Sequence, residues 1–477
     1  MDFITAIGLE IHVELKTESK LFCGCRNKFT RDPNTNVCPV CLGYPGVLPV
    51  VNEKAVELLI RSALSLNCSI ASFSKFDRKN YFYPDMPKNY QVSQYDMPLA
   101  ENGYITVGDK KIRIKRIHLE EDTGKSVHKG TIDKSEYTLE DYNRAGVPLM
   151  EIVTEPDIFS PEEAYEFLTK LKKILEWIGV SDCRMEEGSL RCDANISVRD
   201  KEKSLSDINY KVEIKNMNSF KSVLKALSYE QERQTGILKD NGVIDQSTRG
   251  WDEDKQITFL MRSKEEVHDY RYFPEPDLLP MEISGEWINR IKEDIFELPE
   301  ETSKRFIEKY GLNEYDSSIL IQSVEFSRFF EEAVRNYPEP KIICNWLTQD
   351  ISKVLNDKGI DLGSSALKVD NFIKLLNLIK KGVISGKIAK DIITDIIEGK
   401  DPEEVIKEKN LAVISDSGEV EKIIDKVLDD NTDSVEKYKK GHEKVFVFLV
   451  GQIMKESRGK ADPKSVNELL KKKLERR

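Results

Sequence analysis

The chain has 477 residues, of which 39% are hydrophobic and 33% are charged, and its formal net charge is -11. This composition is typical of a globular protein with about two to four domains, and the excess of acids excludes an overall basic nucleic-acid-binding surface, so any RNA contact must be local. The first residues lack the basic region and cleavage site of a signal peptide. The longest apolar run near the end, Val445 to Val450, is too short to span a bilayer, so we expect no membrane partner.

The first predicted element is a strand over Leu9–Leu15. Its apolar residues alternate with Glu10, His12 and Glu14, so these three polar side chains share one face. A solvated sheet face would show the same pattern. A carboxylate-rich face with one histidine is also suited to a binding site.

Four of the eight cysteines then fall close together, as Cys23-x-Cys25 and Cys38-Pro-Val-Cys41. Two close pairs separated by a polar loop predict a closed, four-thiolate structural zinc site, which would leave no coordination position for catalysis. The alternative is a pair of redox thiols at Cys38 and Cys41, which leaves Cys23 and Cys25 unexplained. The other cysteines are scattered, as expected in a reducing cytoplasm.

The next segment, Asp77-Arg-Lys-Asn-Tyr-Phe-Tyr-Pro-Asp85, combines basic and aromatic side chains. Lys79 could hold a phosphate while an aromatic ring stacks on a base. An aromatic core strand with a charged edge is the alternative, and composition alone favours it.

Three adjacent acids, Glu120, Glu121 and Asp122, precede Gly124-Lys125-Ser126. The phosphate loop that this tripeptide suggests is absent, because its first glycine would stand at Leu119. Oxygen-rich ligands with at most one imidazole favour magnesium or manganese, so the acids predict a cation platform for a phosphorylated ligand. A solvated acidic turn is the alternative. Alternation does not decide which acid faces inward, because the pattern slips at Lys115-Arg116.

A helix is predicted from Ser160, where Ser-Pro-Glu-Glu supplies an N-cap, a proline at the first helical position and a capping-box glutamate. Two further strands carry polar faces. The first, at Arg191–Arg199, presents Asp193 and Asn195, and the second, at Lys211–Lys215, presents Glu213 and Lys215. Together with the first strand they predict a shared concave site, with solvated faces as the alternative.

The pattern becomes helical after Trp287 and stays so through Ile397, and Asp401-Pro402 marks another helix start. We therefore predict an α+β fold. An N-terminal domain with a mixed or antiparallel sheet and covering helices would occupy residues 1–290. An all-helical domain would follow over 291–408, and a small helical tail domain over 409–477.

The tail is locally basic. From Met454 to Arg477 nine lysines and arginines stand against four acids. Asp462-Pro463 predicts a helix start, Val466, Leu469, Leu470 and Leu474 would face a small core, and Lys471, Lys472 and Lys473 would surround the exposed side. The tail is thus a candidate RNA contact, or simply a solvated terminal helix.

Several long strings resemble one family, the GatB proteins of the tRNA-dependent aspartyl/glutamyl amidotransferases (GatCAB). The strings are GLEIHVELKT, KFDRKNYFYPDMPKNYQVSQYDMP, HLEEDTGKS, DYNRAGVPLMEIVTEPD, EEGSLRCDANISVR, EIKNMNSF, DYRYFPEPDL and RGKADPKSVNELL. They occur in order from residue 8 to the tail, so the resemblance covers essentially the whole chain.

The resemblance implies a glutamine-hydrolysing carbon–nitrogen ligase of protein biosynthesis. Its N-terminal domain, called a cradle, would phosphorylate the side-chain carboxylate of mischarged Glu-tRNA(Gln) or Asp-tRNA(Asn) with ATP, and ammonia would then displace phosphate. Glu10, His12, Glu121 and Glu151 would be catalytic and surround magnesium, with Lys79 and Tyr81 at the nucleotide. Asp193, Asn195, Glu213 and Lys215 would line the pocket. The zinc cysteines vary in this family, which agrees with a structural role.

The resemblance also implies partners. The chain has no recognisable glutaminase signature, so the glutaminase GatA would supply ammonia and the small protein GatC would complete a heterotrimer. One alternative is a non-catalytic tRNA-binding scaffold. Another is the archaeal-type paralogue GatE, whose additional inserted domain this chain lacks. Whether Gln-tRNA, Asn-tRNA or both are produced is left open.

Overall fold

Alternating apolar side chains build a large sheet in the first part of the chain. The computed structural model describes residues 2–128, 137–202, 211–263, 269–411, 417–439, 442, 444–457 and 463–476. The chain divides into two compact units, Met1–Pro299 and Glu300–Arg477. The α+β fold class predicted from the sequence is confirmed, whereas the boundaries at 290/291 and 408/409 stay predictions.

The nine-stranded sheet of the first unit is mixed, with the strand order β14-β13-β12-β11-β1-β10-β7-β6-β2. Every neighbouring pair is antiparallel except β12 and β13. Its strands are β1 (Phe3–Glu14), β2 (Ser69–Ile70), β6 (Ala100–Val107), β7 (Lys110–Glu121), β10 (Pro148–Thr154), β11 (Leu190–Asp200), β12 (Val212–Lys215), β13 (Ser247–Asp252) and β14 (Ile257–Ser263).

Three helices contact strands of this sheet. The helices of the first unit are α1 (Glu53–Ser65), α2 (Pro161–Trp177), α3 (Phe220–Lys239) and α4 (Gly285–Glu293). Helix α3 packs against β11, α2 against β6, and α1 against β7. The apolar residues of β1, among them Ile7, Leu9, Ile11 and Val13, are buried. The opposite face of the same strand is therefore the polar one.

The predicted start of α2 is confirmed. Ser160 is its N-cap and accepts a hydrogen bond from the Glu163 backbone N–H at 3.1 Å, and Pro161 is the first helical residue. The buried residues of the helix include Leu168, Leu171 and Leu175, as the helical spacing indicates.

In the described part of the first unit there are also three small sheets, with the orders β15-β4-β5, β16-β3 and β8-β9. Their strands are β3 (Phe73–Ser74), β4 (Asp77–Asn80), β5 (Tyr90–Ser93), β8 (Lys125–His128), β9 (Thr138–Asp141), β15 (Phe273–Pro274) and β16 (Met281–Glu282). Because β15 pairs with β4, a segment about 200 residues further along the chain lies beside Lys79.

The second unit is helical wherever the structure describes regular elements. Its helices are α5 (Pro299–Tyr310), α6 (Glu314–Leu320), α7 (Val324–Asn336), α8 (Pro340–Asn345), α9 (Ser352–Lys358), α10 (Val369–Lys380), α11 (Gly386–Ile397), α12 (Pro402–Glu408), α13 (Ser417–Asp430), α14 (Thr432–Lys439), α15 (Lys444–Glu456) and α16 (Pro463–Arg476), with a π-helical turn at Trp346–Ile351. The predicted helix start at Asp401 is confirmed. Among the described residues, no helix combines the length and apolar character needed to cross a membrane.

The tail helices share a hydrophobic core. Val466, Leu470 and Leu474 of α16 are buried in it, and Leu469 packs against it, as predicted from the sequence. The predicted cap at Asp462 lies outside the described residues.

Candidate active site

Strand register brings polar residues from four strands into one row. His12 on β1 lies opposite Glu151 on β10 and opposite Arg191 on β11, and Glu151 in turn lies opposite His118 on β7. Because side chains alternate along each strand, all four project from the face that carries Glu10 and Glu14. We call this surface the polar face.

Three side chains of the polar face converge as possible metal ligands. His12 Nε2 lies 3.3 Å from Glu120 Oε1 and 3.8 Å from Glu151 Oε2. One ligand atom from each of the three residues lies within 4.8 Å of the others. We call His12, Glu120 and Glu151 the donor cluster. Two carboxylates and one imidazole fit a hard divalent cation such as magnesium or manganese better than zinc.

The charges of the donor cluster are strongly coupled. Burial disfavours the charged form of His12, but its hydrogen bond to Glu120 and the charges of Glu120 and Glu151 outweigh burial and raise its pKa to about 9. For Glu151, burial acts to raise the pKa, yet the charges of His118, His12 and Lys79 hold the pKa well below its ordinary value. In this protonation state positive charge already fills the space between the carboxylates, and a bound cation would take over that role.

His118 supports the cluster. Its Nε2 lies 2.9 Å from Glu151 Oε2 and 3.9 Å from Glu120 Oε2, while its buried Nδ1 has no hydrogen-bond partner among the residues that the structure describes. A second imidazole thus lies in contact with a cluster carboxylate and orients it. His118 was not among the site residues predicted from the sequence.

The structure places Glu120, not the predicted Glu121, in the donor cluster. Glu121 projects to the opposite face of β7, where it forms an ion pair with Lys88 and accepts a hydrogen bond from the Val92 backbone N–H at 3.0 Å. Both Glu121 and Lys88 line a cavity of about 210 Å³ whose other wall includes Cys41. Because side chains alternate along the strand, Glu121 lies apart from the donor cluster in this arrangement, and its assignment to the cation stays a prediction.

Asp122, the third of the adjacent acids, is also engaged elsewhere. Its Oδ2 lies 2.7 Å from Arg191 Nη2 and 3.3 Å from Arg144 Nε. Two guanidinium groups neutralise this buried carboxylate, so it is not a free cation ligand.

The remaining predicted pocket residues share the polar face but lie outside the donor cluster. Glu10 Oε1 accepts a hydrogen bond from Asn195 Nδ2 at 3.0 Å. Lys215 forms ion pairs with Asp193 and, at 3.2 Å, with Glu213. Glu10 is therefore close enough to shape the site, but in this arrangement it is not one of the three converging ligands.

Aromatic rings surround Lys79 beside the donor cluster. Lys79 Nζ lies 5.0 Å from the Tyr270 ring and 6.0 Å from the Tyr81 ring. Tyr270 also packs edge-on against Tyr81 and Tyr272, and Tyr272 stacks on Tyr95 with ring centroids 4.1 Å apart. The structure thus brings the predicted nucleotide residues Lys79 and Tyr81 together with two tyrosines that were not predicted. In the sequence, both of these tyrosines fall within DYRYFPEPDL, one of the strings that carry the family resemblance.

The four predicted zinc cysteines form a second cluster. Their sulfur atoms lie within 4.8 Å of one another, and sulfurs about 2.3 Å from a tetrahedral zinc ion would lie about 3.8 Å apart. The Cys38 backbone N–H donates to Cys41 Sγ at 3.2 Å, and Leu42 N–H closes the turn by donating to the Cys38 carbonyl at 3.1 Å. All four residues are free cysteines, and a closed metal site fits this geometry. We call residues 23–41 the cysteine loop.

The three lysines predicted to contact tRNA behave differently. Lys471 and Lys472 on α16 are exposed. Lys473 instead pairs with Asp425 and, at 3.4 Å, with Glu421 of α13. The expectation that all three surround an exposed side is therefore corrected for Lys473, because its position on the helix points it toward α13.

Comparisons with known proteins show the family of the chain. The family model described as the GatB/GatE catalytic domain matches residues 5–289, and the model described as the GatB domain matches residues 328–474. The B subunit of the aspartyl/glutamyl-tRNA(Asn/Gln) amidotransferase of Carboxydothermus hydrogenoformans is 54% identical, over 99% of each chain. The proteins of the same name from Halalkalibacterium halodurans and Persephonella marina are 51% and 50% identical, over at least 98% of each chain. The chain therefore belongs to the GatB family of the aspartyl/glutamyl-tRNA(Asn/Gln) amidotransferases.

Proposed function

We propose that this chain carries the ATP-dependent step by which mischarged Glu-tRNA(Gln), Asp-tRNA(Asn) or both are converted to the amides used in translation. The observation that supports this proposal is the donor cluster of His12, Glu120 and Glu151 with Lys79 beside it. Phosphoryl transfer needs cations and positive side chains around the phosphates. The donor cluster provides ligands for a cation, and Lys79 is a positive side chain beside it.

The chemistry follows from the weakness of a carboxylate as an electrophile. An oxygen of the tRNA-linked side chain would attack the γ-phosphorus of ATP, and the bond to ADP would break. Ammonia would then attack the carbonyl carbon of this acyl phosphate, and phosphate would leave with the bonding electrons. A bound magnesium ion would supply charge neutralisation at the phosphates.

The residues of the polar face have separable parts in this scheme. Glu120, Glu151 and His12 would hold the cation, while His118 orients Glu151. Lys79 would add positive charge at the nucleotide, and the rings of Tyr81 and Tyr270 would pack around the Lys79 ammonium. Asp193, Asn195, Glu213 and Lys215 would line the remainder of the pocket, together with Glu10.

The proposal requires partners. The curated relatives are named as one component of a multi-subunit amidotransferase. We infer that the glutaminase GatA supplies the ammonia, that the small protein GatC completes the heterotrimer, and that the complex works in the cytoplasm. We further infer that the cysteine loop holds zinc and that the tail contacts tRNA.

The test is Glu151→Gln in the reconstituted complex, with mischarged tRNA, ATP and glutamine. We expect ADP release and amide formation to fall by about 100-fold or more, because the cation loses a charged ligand at the point of phosphoryl transfer. The exposed Glu101 on β6 offers a matched control, and Glu101→Gln should leave both rates unchanged. Glutamine hydrolysis by the partner should remain measurable in both variants.

Two outcomes would contradict the proposal. Amide formation at the normal rate by Glu151→Gln would remove the donor cluster from the reaction. Tight binding of mischarged tRNA by the unaltered complex, without any tRNA-dependent ADP release, would favour the non-catalytic scaffold instead.

A further inference from the structure

Lys20 is a fully buried lysine next to the cysteine loop. Its relative exposure is 0%, and it is among the largest fully buried side chains in the described part of the chain. Its backbone N–H donates to the Cys25 carbonyl at 2.9 Å, directly after the bridge between Ser19 and Arg26. The backbone is thus fixed on both sides of Lys20, and the side chain extends into the loop.

The polar contacts of its ammonium are with the loop. Lys20 Nζ donates to the Asn36 carbonyl at 2.9 Å and lies 3.8 Å from Cys41 Sγ. Within the described residues, no carboxylate oxygen lies within 4.0 Å of this nitrogen. Burying an ammonium without an anion is strongly unfavourable. The nearest groups that can become anionic are therefore the thiols of the loop.

A metal-loaded loop supplies the negative charge that the Lys20 ammonium lacks. Four thiolates around a divalent zinc ion carry a net charge of about -2, which is itself costly to bury. One ammonium against Cys41 reduces this charge by half and gains a charge-assisted hydrogen bond to sulfur. We propose that the Lys20 ammonium is the counter-charge of the metal-bound thiolates, so that metal retention in the cysteine loop and burial of Lys20 depend on each other.

The packing around Lys20 couples it to both cysteine pairs. Lys20 precedes Cys23 and Cys25 in the chain, while its ammonium contacts Asn36, two residues before Cys38, and Cys41 itself. Gly146 closes the other side with a positive φ of +87°, and a Cβ there would lie 3.5 Å from both the Lys20 and the Cys41 side chains. Lys20 therefore acts as a positioning residue that joins the two halves of the loop.

This inference rests on the proposed zinc assignment, and its test separates the two. Zinc in the unaltered full-length chain is measured first, and its absence would overturn the assignment and the inference together. Lys20→Met keeps the length of the side chain and removes the charge. Lys28, which is exposed on the same loop, provides Lys28→Met as a control with the same change in net charge.

Competition with a chromophoric chelator then gives the zinc affinity of each variant. We expect Lys20→Met to bind zinc about 10- to 100-fold more weakly, the usual effect of removing a partner of a metal ligand, and Lys28→Met to match the unaltered chain. Equal affinity in all three proteins would overturn the proposal.

A second measurement needs no variant and covers the case in which Lys20→Met does not fold. The unaltered chain is treated with an amine-acetylating reagent before and after zinc removal, and the modified peptides are identified by mass spectrometry. Lys20 should be protected in the zinc-loaded chain and become reactive once zinc is removed, while Lys28 reacts in both states. Protection that persists without zinc, or reactivity in its presence, would overturn the mutual dependence.

Discussion

Glu120 and Glu121 are neighbours in the chain, yet their side chains lie on opposite faces of β7. Glu120 contacts His12 at 3.3 Å on the polar face, whereas Glu121 pairs with Lys88 on the other side. Both carboxylates are almost completely buried, and each contacts a basic side chain. A substitution at either position is therefore expected to impair the protein, but for different reasons.

We predict that Glu120→Gln weakens cation binding while Glu121→Gln does not. Manganese can replace magnesium as a paramagnetic probe, and its binding to the full-length chain in the presence of ATP can be followed by electron paramagnetic resonance. Glu120→Gln should raise the dissociation constant for manganese at least about 10-fold, because a charged ligand becomes neutral. Glu121→Gln should bind manganese normally, although the unpaired Lys88 should lower its thermal stability.

The reverse pattern, with manganese lost in Glu121→Gln and kept in Glu120→Gln, would mean that the cation sits on the other face of β7. Such a result would restore the ligand set that the family resemblance implied.

The sequence alone does not decide between Glu120 and Glu121, because β7 contains one extra residue that is not paired with β10. Val153 pairs with Arg116 while Thr154 pairs with Ile114, so Lys115 forms a bulge on β7. A bulge inserts one residue and reverses the alternation beyond it. The break in alternation at Lys115-Arg116 was visible in the sequence. Which residue forms the bulge, and therefore which acid lies on the polar face, depends on the pairing with β10, which is a tertiary contact.

The cysteine loop has little regular secondary structure of its own. Apart from the hairpin-like contact of Lys20 with Cys25, this segment contains turns rather than regular strands. Side-chain hydrogen bonds tie it to the chain near Asn143, whose Oδ1 accepts from the Asn36 backbone N–H at 2.8 Å. Such a loop has little core of its own, so a metal ion would contribute directly to its folding.

We predict that Cys38→Ser lowers the zinc content and the thermal stability together. The unaltered chain should contain about one zinc ion per molecule, and the variant nearly none, because a hydroxyl is a poor substitute for a thiolate ligand. Metal analysis and calorimetry on the same samples provide the measurement. ATP-dependent turnover per folded complex should persist, since a closed site takes no part in the reaction.

Cys68 offers the matched control, because its thiol is buried outside the cluster. Cys68→Ser should lower the melting temperature and leave the zinc content at about one ion per chain. Zinc bound equally by Cys38→Ser and the unaltered chain would refute the four-cysteine site.

Elements with local signals were predictable, and those formed by distant segments were not. The N-cap and periodicity of α2 and the apolar face of α16 follow from residues within one turn of each other. The three-stranded sheet β15-β4-β5 joins residues near 78 to residues near 273. No local pattern specifies that pairing, so the approach of Tyr270 to Lys79 could not be derived.

At the scale of the whole molecule, charge is distributed unevenly. The chain carries a net charge of -11, while the stretch from Met454 to Arg477 holds nine basic residues and four acids. A tRNA backbone requires cations wherever the protein contacts it, and such contacts make the affinity depend on salt. The exposed lysines of α16 are therefore the natural candidates in this part of the chain.

The structure refines this candidate surface. Sequence spacing placed Lys471, Lys472 and Lys473 together, but Lys473 forms ion pairs with two acids of α13. Its charge is thus neutralised by two partly exposed acids of α13. The sequence could predict the helix and its apolar face, whereas the acidic partners on α13 became apparent only from the packing.

We predict that the double variant Lys471→Ala/Lys472→Ala binds mischarged tRNA more weakly and with a smaller salt dependence. Each lysine that contacts a phosphate contributes about one unit to the slope of log affinity against log salt concentration. The slope should therefore decrease by about two units, and the KM for charged tRNA should rise while kcat at saturating tRNA is retained. Filter binding at several salt concentrations and steady-state kinetics with the full complex provide these values.

Lys473→Ala is the control for this prediction, because it removes the charge of a neighbouring lysine from the same helix. It should lower the thermal stability of the tail, by about 1 kcal/mol or less as is usual for a partly exposed ion pair, and leave the salt slope almost unchanged. Phosphate contacts act on binding, whereas the donor cluster acts on the reaction. An unchanged slope in the double variant, or an equal decrease in Lys473→Ala, would show that this face of α16 does not contact tRNA.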